Sequence, residues 1–457
     1  MSARRRATLG RRIDSGTTRR ALGMVALALA TIVCLLVAST VSMRVRPNSA
    51  NEMTSSAQAR QIVCPGHGPD SDVVGSAVLS QGPIEVKVAG ADKTIKAQRS
   101  KRLAKGSAQS SIVRTESGAL VASHVERLGA ALAGCVEAAS AWWFVGAGAS
   151  NQHASELVLV NPRPGVAIAD VRLIGETNEP IAAAGLTGIS VASGAEVVID
   201  LPRLAPTKGQ VAVEVTTTRG LVAAAMVDRQ ADGSAPASGV LPQWLPATAA
   251  PAKTSWMVGL PAAKNRSKRR PDLLVIANPG ATTAVVAVLA SGPTGSFAPA
   301  GIDPIRVKAR QVAVVDLGKS LKADTGSVQV ASPTPVSATL WRAGVAVVST
   351  TAYDGASALA INQNADSTLV STATAGAASV RVRAFDKAGQ QVLNDLVKVE
   401  AGASVLTALP PDAASVMVEP SAAGVISAVI AKQAASIGSS VLAHASQEQA
   451  AITVRPR

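Results

Sequence analysis

The chain repeats itself, and that limits its folds more than any other feature. Trp143-Phe144-Val145-Gly146 returns as Trp256-Met257-Val258-Gly259, LVLVNP at 157–162 as LVIANP at 274–279, and VVIDL at 197–201 as AVVDL at 313–317, at offsets of 113, 117 and 116 residues. Three ordered matches at nearly one offset mean two copies of one structural unit. A weaker third copy follows: Leu369-Val370 opens it, SVLTAL at 404–409 replaces VVIDL, and VISAVIAK at 425–432 closes it, without the Asn-Pro and the Trp. The closing element also occurs ahead of the first full copy, where SIVRTESGALVASHVER at 111–127 parallels VEVTTTRGLVAAAMVDR at 213–229. Residues 61–135 are therefore expected to form a partial unit.

Each copy is a succession of short runs of Val, Ile, Leu and Ala punctuated by Gly, Pro, Asn and Asp, which predicts strands and turns. Alanine favours helix, but 37 Gly and 25 Pro interrupt nearly every stretch long enough for one. A unit of this length with several short strands suits a two-sheet sandwich. Solenoid coils are too short for it, and a propeller would need more and shorter copies. The expectation is an all-β ectodomain of tandem modules strung like beads: a partial module at 61–135, repeats at 136–240 and 241–355, and a divergent repeat at 356–457.

Ahead of these modules lies ALGMVALALATIVCLLVASTVSM at 21–43, a run without a charge that is long enough as a helix to cross a bilayer. Arg4, Arg5, Arg6, Arg11, Arg12, Arg19 and Arg20 precede it. This predicts a basic cytoplasmic tail at 1–20, a transmembrane signal anchor at 21–43, a juxtamembrane linker at 44–60 and an extracytoplasmic remainder. A cleaved signal peptide ending near Val37-Ala38-Ser39 is the alternative. The formal net charge is +14, and the tail together with Arg44 and Arg46 supplies more than half of it. An exported domain does not meet the chromosome, so the basic balance reads as topology and no nucleic-acid partner is expected.

Cys64 and Cys135 are the cysteines outside the apolar run, and an oxidising compartment would pair them, two free thiols being the alternative. His67, His124, His153 and His444 show no metal-ligand spacing with either cysteine, so no metal or other cofactor is expected. Trp143 and its copy Trp256 read as core residues. Trp142, which alternates with Trp143 on a strand and has no counterpart, is the candidate sugar contact. Aromatics at 2% of the chain leave little for a broad sugar-binding platform. Asn161-Pro162 and Asn278-Pro279 read as turns at strand ends, and Asp200 and Asp316 as caps.

Lys264, Arg266, Lys268, Arg269 and Arg270 form a basic insertion absent from the first repeat, either a solvated loop or a contact for a polyanion such as a wall polymer or lipid headgroups. Lys93, Lys96, Arg99, Lys101, Arg102 and Lys105 form a second cluster. HExxH, Gly-x-Ser-x-Gly and the phosphate-binding glycine loop are all missing from the sequence, so no catalytic residue is assigned. Ser, His and Asp residues far apart along a chain still converge in some folds.

Cys64-Pro65-Gly66 close after the apolar run, Cys135 shortly before Trp143-Phe144-Val145-Gly146, and then LVLVNP resemble an actinobacterial family of membrane-anchored secreted proteins of unknown function, and the repeat is similar to a widespread bacterial immunoglobulin-like sandwich module, which implies immunoglobulin-like β-sandwich repeats. The resemblance covers essentially the whole exported part and implies a cell-envelope location and a non-catalytic architecture. The expected role is that of a non-enzymatic scaffold or interaction arm in wall assembly or surface organisation, with envelope proteins or an anionic wall polymer as partners. A polysaccharide-binding accessory protein is the alternative.

Overall fold

The computed structural model describes residues 60–444, apart from 65, 67–70, 77–82, 89–93, 99–100, 105–108, 116–120, 127–129, 180, 182, 208, 232–235, 263–271, 353, 364 and 435. The basic tail, the run at 21–43, the linker up to residue 59 and the cluster at 264–270 lie outside the described residues. Among the described residues no helix is long and apolar enough to cross a membrane. Nearly all of the described secondary structure is β.

The first eight strands are Arg60–Cys64, Ser71–Ser76, Pro83–Val88, Thr94–Gln98, Lys101–Ala104, Ser111–Thr115, Val121–Glu126 and Leu132–Gly134. They form two antiparallel sheets of four, in the orders four-three-six-one and five-two-seven-eight. The strands from Ala141–Gly148 to Gln243–Leu245 repeat both orders, as do those from Ser357–Ala360 to Ser436–Val441. Between them, Ala252–Val258 to Val345–Val348 do the same with two changes, one being the additional short strand Gly295–Phe297 beside the third strand. The sixth and seventh strands are fused into Ser327–Arg342, whose first half pairs in one sheet and second half in the other. In every module the chain then turns back onto its own first strand, pairing Val63 with Val136, Trp143 with Thr248, Trp256 with Thr350, and Ala358 with Ala443.

Two expectations change here. The segment at 61–135, expected as a partial module, carries all eight strands. Its fourth and fifth strands are sheet edges bearing Lys96, Lys101 and Arg102; edges tolerate charge, and the charge hides the period-two pattern. The strand order also departs from the immunoglobulin one, in which the first strand shares a sheet with the second; here the first strand pairs with the sixth.

The modules are not beads on a string. Along LVLV at 157–160, Leu157 and Leu159 enter their own module's core while Val158 and Val160 pack with Val63 and Ile112 of the module before. A sheet apolar on both faces must be covered on both. Each four-three-six-one sheet accordingly lies on the five-two-seven-eight sheet of the next module. Ser110 N donates to Glu196 Oε2 at 2.9 Å across the first junction, Val312 N to Gly175 O at 2.8 Å across the second, and Ser439 Oγ to Gly259 O at 2.8 Å across the third.

The fourth junction closes the circle. Val125 and Leu132 of the first module pack with Leu359 of the fourth, and Asn362 Nδ2 donates to Glu126 O at 3.1 Å. Ser436 Oγ accepts from Ala130 N at 2.9 Å. Eight sheets, each built on four core strands, thus follow one another face to face in a ring, as propeller blades do; Ala443–His444 adds a short fifth strand to one sheet of the fourth module. The repeat length pointed away from a propeller because the repeating unit is a pair of sheets between which the chain crosses. The eighth strands sit at the inner sheet edges and converge at the centre.

Candidate functional site at the centre of the ring

One three-residue element builds successive junctions. The closing pairs put Val63, Trp143 and Trp256 at equivalent positions, so Phe144-Val145-Gly146 and Met257-Val258-Gly259 are one element in successive modules, with Cys64 at the place of Phe144 and Met257 in the first. Gly146 and Gly259 have φ of 86° and 91°, a region that glycine alone enters at little cost. A Cβ on Gly146 would lie 2.8 Å from Trp341 Nε1, and one on Gly259 would lie 2.7 Å from Ala428 Cβ, in each case an atom of the following module. Trp256 packs on Val370, Ile426 and Ala428, so this repeated tryptophan seals a junction rather than filling its own module.

Inside the eighth strands lies a cleft in two parts. One, of about 160 Å³, is bordered by Glu126, Leu241, Trp244, Val345 and Ser436. The other, of about 240 Å³, is bordered by Cys135, Trp142, Thr248, Val348, Ser349 and Ser440. All four modules contribute to both. Trp142 is half-buried, and its Nε1 donates to Val222 O at 2.8 Å, so its polar group is used within the protein. The second part is otherwise lined by Val, Ala, Gly and Pro with a few hydroxyls, and by no charged side chain among the described residues.

Cys64 and Cys135 form a disulfide with their Cα atoms 4.5 Å apart, tying the first strand to the segment after the eighth. His124 on the seventh strand stands beside them. One of its ring nitrogens and both sulfurs all lie within 4.8 Å of one another, and all three residues are buried. The His124 ring also packs against the ring of Trp244 of the next module, with centroids 4.7 Å apart and planes tilted by 36°. Spacing along the chain concealed this cluster because the end of the first strand, the middle of the seventh and the segment after the eighth meet there; sheet pairing alone brings them together.

A Ser, His and Asp do converge. His153 Nε2 lies 2.9 Å from Asp228 Oδ1, and Ser155 Oγ donates to the same carboxylate while accepting from Gly148 N at 2.8 Å. In a hydrolytic relay the imidazole stands between hydroxyl and carboxylate. Here the carboxylate stands between, and all three side chains are buried, so the trio braces the strands His153–Val160 and Ala223–Gln230. Arg342 is wholly buried, with its Nε 3.6 Å from Asp272 Oδ2 and its Nη2 donating to Lys322 O at 3.0 Å.

The repeated polar residues serve the backbone. Asn161 Nδ2 donates to Gly165 O and Val191 O at 2.7 and 3.0 Å; Asn278 Nδ2 donates to Thr282 O and Val307 O at 2.8 and 3.0 Å. Asp200 accepts from Arg203 N at 3.1 Å, capping the helical turn Leu201–Leu204, and Asp316 accepts from Gly318 N at 2.8 Å. Lys264, Arg266, Lys268, Arg269 and Arg270 lie outside the described residues, as do Lys93, Arg99 and Lys105 of the other cluster.

Fold and centre together define a class of architecture: a closed ring of β-sandwich modules with packed junctions, a small inner cleft and a disulfide beside it. The chain belongs to a family of unknown function (DUF5719), whose profile matches residues 93–412. That match starts within the first module and ends within the fourth. A comparison with curated proteins finds no match.

Proposed function

We propose that the chain is a non-enzymatic, membrane-anchored protein of the actinobacterial cell envelope whose ring is an extracytoplasmic scaffold or interaction arm in wall assembly or surface organisation. The observation that carries this reading is the closed ring with its apolar junctions, which suits holding a fixed shape. The inner cleft of about 240 Å³ beside Trp142 is smaller than the roughly 300–1,000 Å³ of ordinary ligand pockets. Its lining of small apolar side chains favours the scaffold over the polysaccharide-binding alternative. The disulfide fits an oxidising compartment. The uncharged run at 21–43 behind seven arginines supports the anchor, and the basic insertion at 264–270 supports an anionic wall polymer or envelope lipid as partner.

A reporter fused after Arg457 should be active only outside the membrane, with the full-length chain in the membrane fraction. A shortened, soluble form in the medium would overturn the anchor. Sedimentation with purified wall polymer should weaken steeply as salt rises, because exposed charges are screened over about 8 Å at physiological ionic strength. It should also weaken when Lys264, Arg266, Lys268, Arg269 and Arg270 are all replaced by serine. Binding indifferent to both changes rejects the polyanion contact, and turnover of a glycan or peptide by the purified chain rejects the non-enzymatic reading.

A further inference from the structure

The four modules supply an internal comparison for the cluster at Cys64, Cys135 and His124. Counted from the closing pairs, Cys64 takes the seat that Phe144, Met257 and Leu359 hold in the other modules, and Cys135 that of Ala247, Ser349 and Leu442. His124 pairs with Ala133 across the seventh and eighth strands, as Met226 pairs with Leu245, Leu340 with Val347 and Val429 with Ser440. Each of those partners lies three residues before its closing pair, so His124 occupies the seat of Met226, Leu340 and Val429, all three at 0% exposure. One module therefore carries an imidazole at 4% exposure where its three siblings carry an apolar core residue. The same module alone brings two sulfurs to that ring.

Two cysteine sulfurs and one imidazole nitrogen within 4.8 Å of one another are the donor set of a Cys₂His centre. Cys135 also lines the 240 Å³ part of the cleft, which gives an ion and a reductant a way in and leaves room for an exchangeable fourth ligand.

We propose that Cys64, Cys135 and His124 form a site for a thiophilic divalent cation of the zinc type, opened by reduction of the disulfide. A dithiol donor supplies two electrons to the S–S bond and its two protons to Cys64 and Cys135, leaving as its own disulfide. Binding the cation then forms two Sγ–metal bonds and one ring nitrogen–metal bond and releases both thiol protons, with no change in the metal's oxidation state. The first module thus has two interchangeable locks at one place, a covalent one and a metal one. This goes beyond the scaffold reading and does not depend on it.

The test uses the full-length chain in detergent, titrated with Zn²⁺ against a chromophoric chelator before and after reduction by a water-soluble phosphine, which does not compete for the metal. The expected result is one equivalent bound after reduction and none before. Co²⁺ in place of Zn²⁺ should show a thiolate charge-transfer band and tetrahedral visible bands. Cys64→Ser should abolish binding. His124→Met and His124→Leu, which install the second and third modules' residues, should keep the disulfide and the melting temperature in the oxidised form while weakening binding at least about tenfold on reduction. No stoichiometric binding by the reduced wild-type chain overturns the proposal, and so does equal affinity in Cys64→Ser or in a folded His124 variant.

Discussion

Gly259 meets two demands at once, a φ of 91° and an approach that would put a Cβ 2.7 Å from both Ala428 Cβ and Ser439 Oγ. A valine there takes on about 1–3 kcal/mol of backbone strain and a similar overpacking cost. Gly259→Val should therefore lower the thermal midpoint by several degrees in calorimetry. Gly376→Ala, where an added Cβ meets nothing within 4 Å and φ is ordinary, should change stability by less than about 0.5 kcal/mol. Equal shifts in the two variants would show that the glycine in Trp-x-Val-Gly has no junction role. The repetition of that glycine was visible in the sequence, but its reason was not, because the atoms it makes room for are some 170 residues away. The asparagines were different in part: Asn161 and Asn278 each donate to a carbonyl four residues on, Gly165 O and Thr282 O, and that turn chemistry is local enough to read directly, whereas their bonds to Val191 O and Val307 O span about 30 residues and were not legible.

At the scale of elements, the disulfide and the long strand are two of the ties between sheets. With a sequence separation of 71, the bond between Cys64 and Cys135 removes about 4 kcal/mol of chain entropy from the unfolded state. Urea unfolding with and without reductant, both with a strong chelator present, should differ by that order, and coincident curves would mean that the bond adds nothing. On Ser327–Arg342 the fused strand ends in a buried guanidinium facing Asp272. Removing the carboxylate in Asp272→Ala should destabilise by about 3–5 kcal/mol, since a buried charge then loses its counterion. A loss below about 1 kcal/mol would show that the guanidinium is held by its carbonyl contact alone. Asp272 carried no sequence signal, because the strand that brings Arg342 to it arrives from 70 residues downstream.

For the whole molecule the decisive contact is the one between the first and fourth modules. A Cβ on Gly438 would collide with Ala130 O and lie 2.9 Å from Leu132 N, backbone atoms that cannot step aside. Gly438→Val should pry this junction apart. Hydrogen exchange should then quicken together in Val121–Glu126 and Ser436–Val441, and the unfolding transition should broaden or split. The wild-type ring should unfold in one cooperative transition, whereas independent modules would melt separately and leave exchange in the first module untouched by a change at Gly438.

The β class, the copies and their offset, the turns at the paired asparagines and the two cysteines free to bridge were all legible along the chain, because alternation, turn chemistry and repetition act over a few residues or are matched by simple comparison. The completeness of the first module, the closure of the modules into a ring and the meeting of His124 with the cysteines emerge from long-range packing. Each of these depends on which sheet covers which. An apolar strand such as LVLV requires cover on both faces without naming it, and the cover comes from contacts as distant as Asn362 on Glu126.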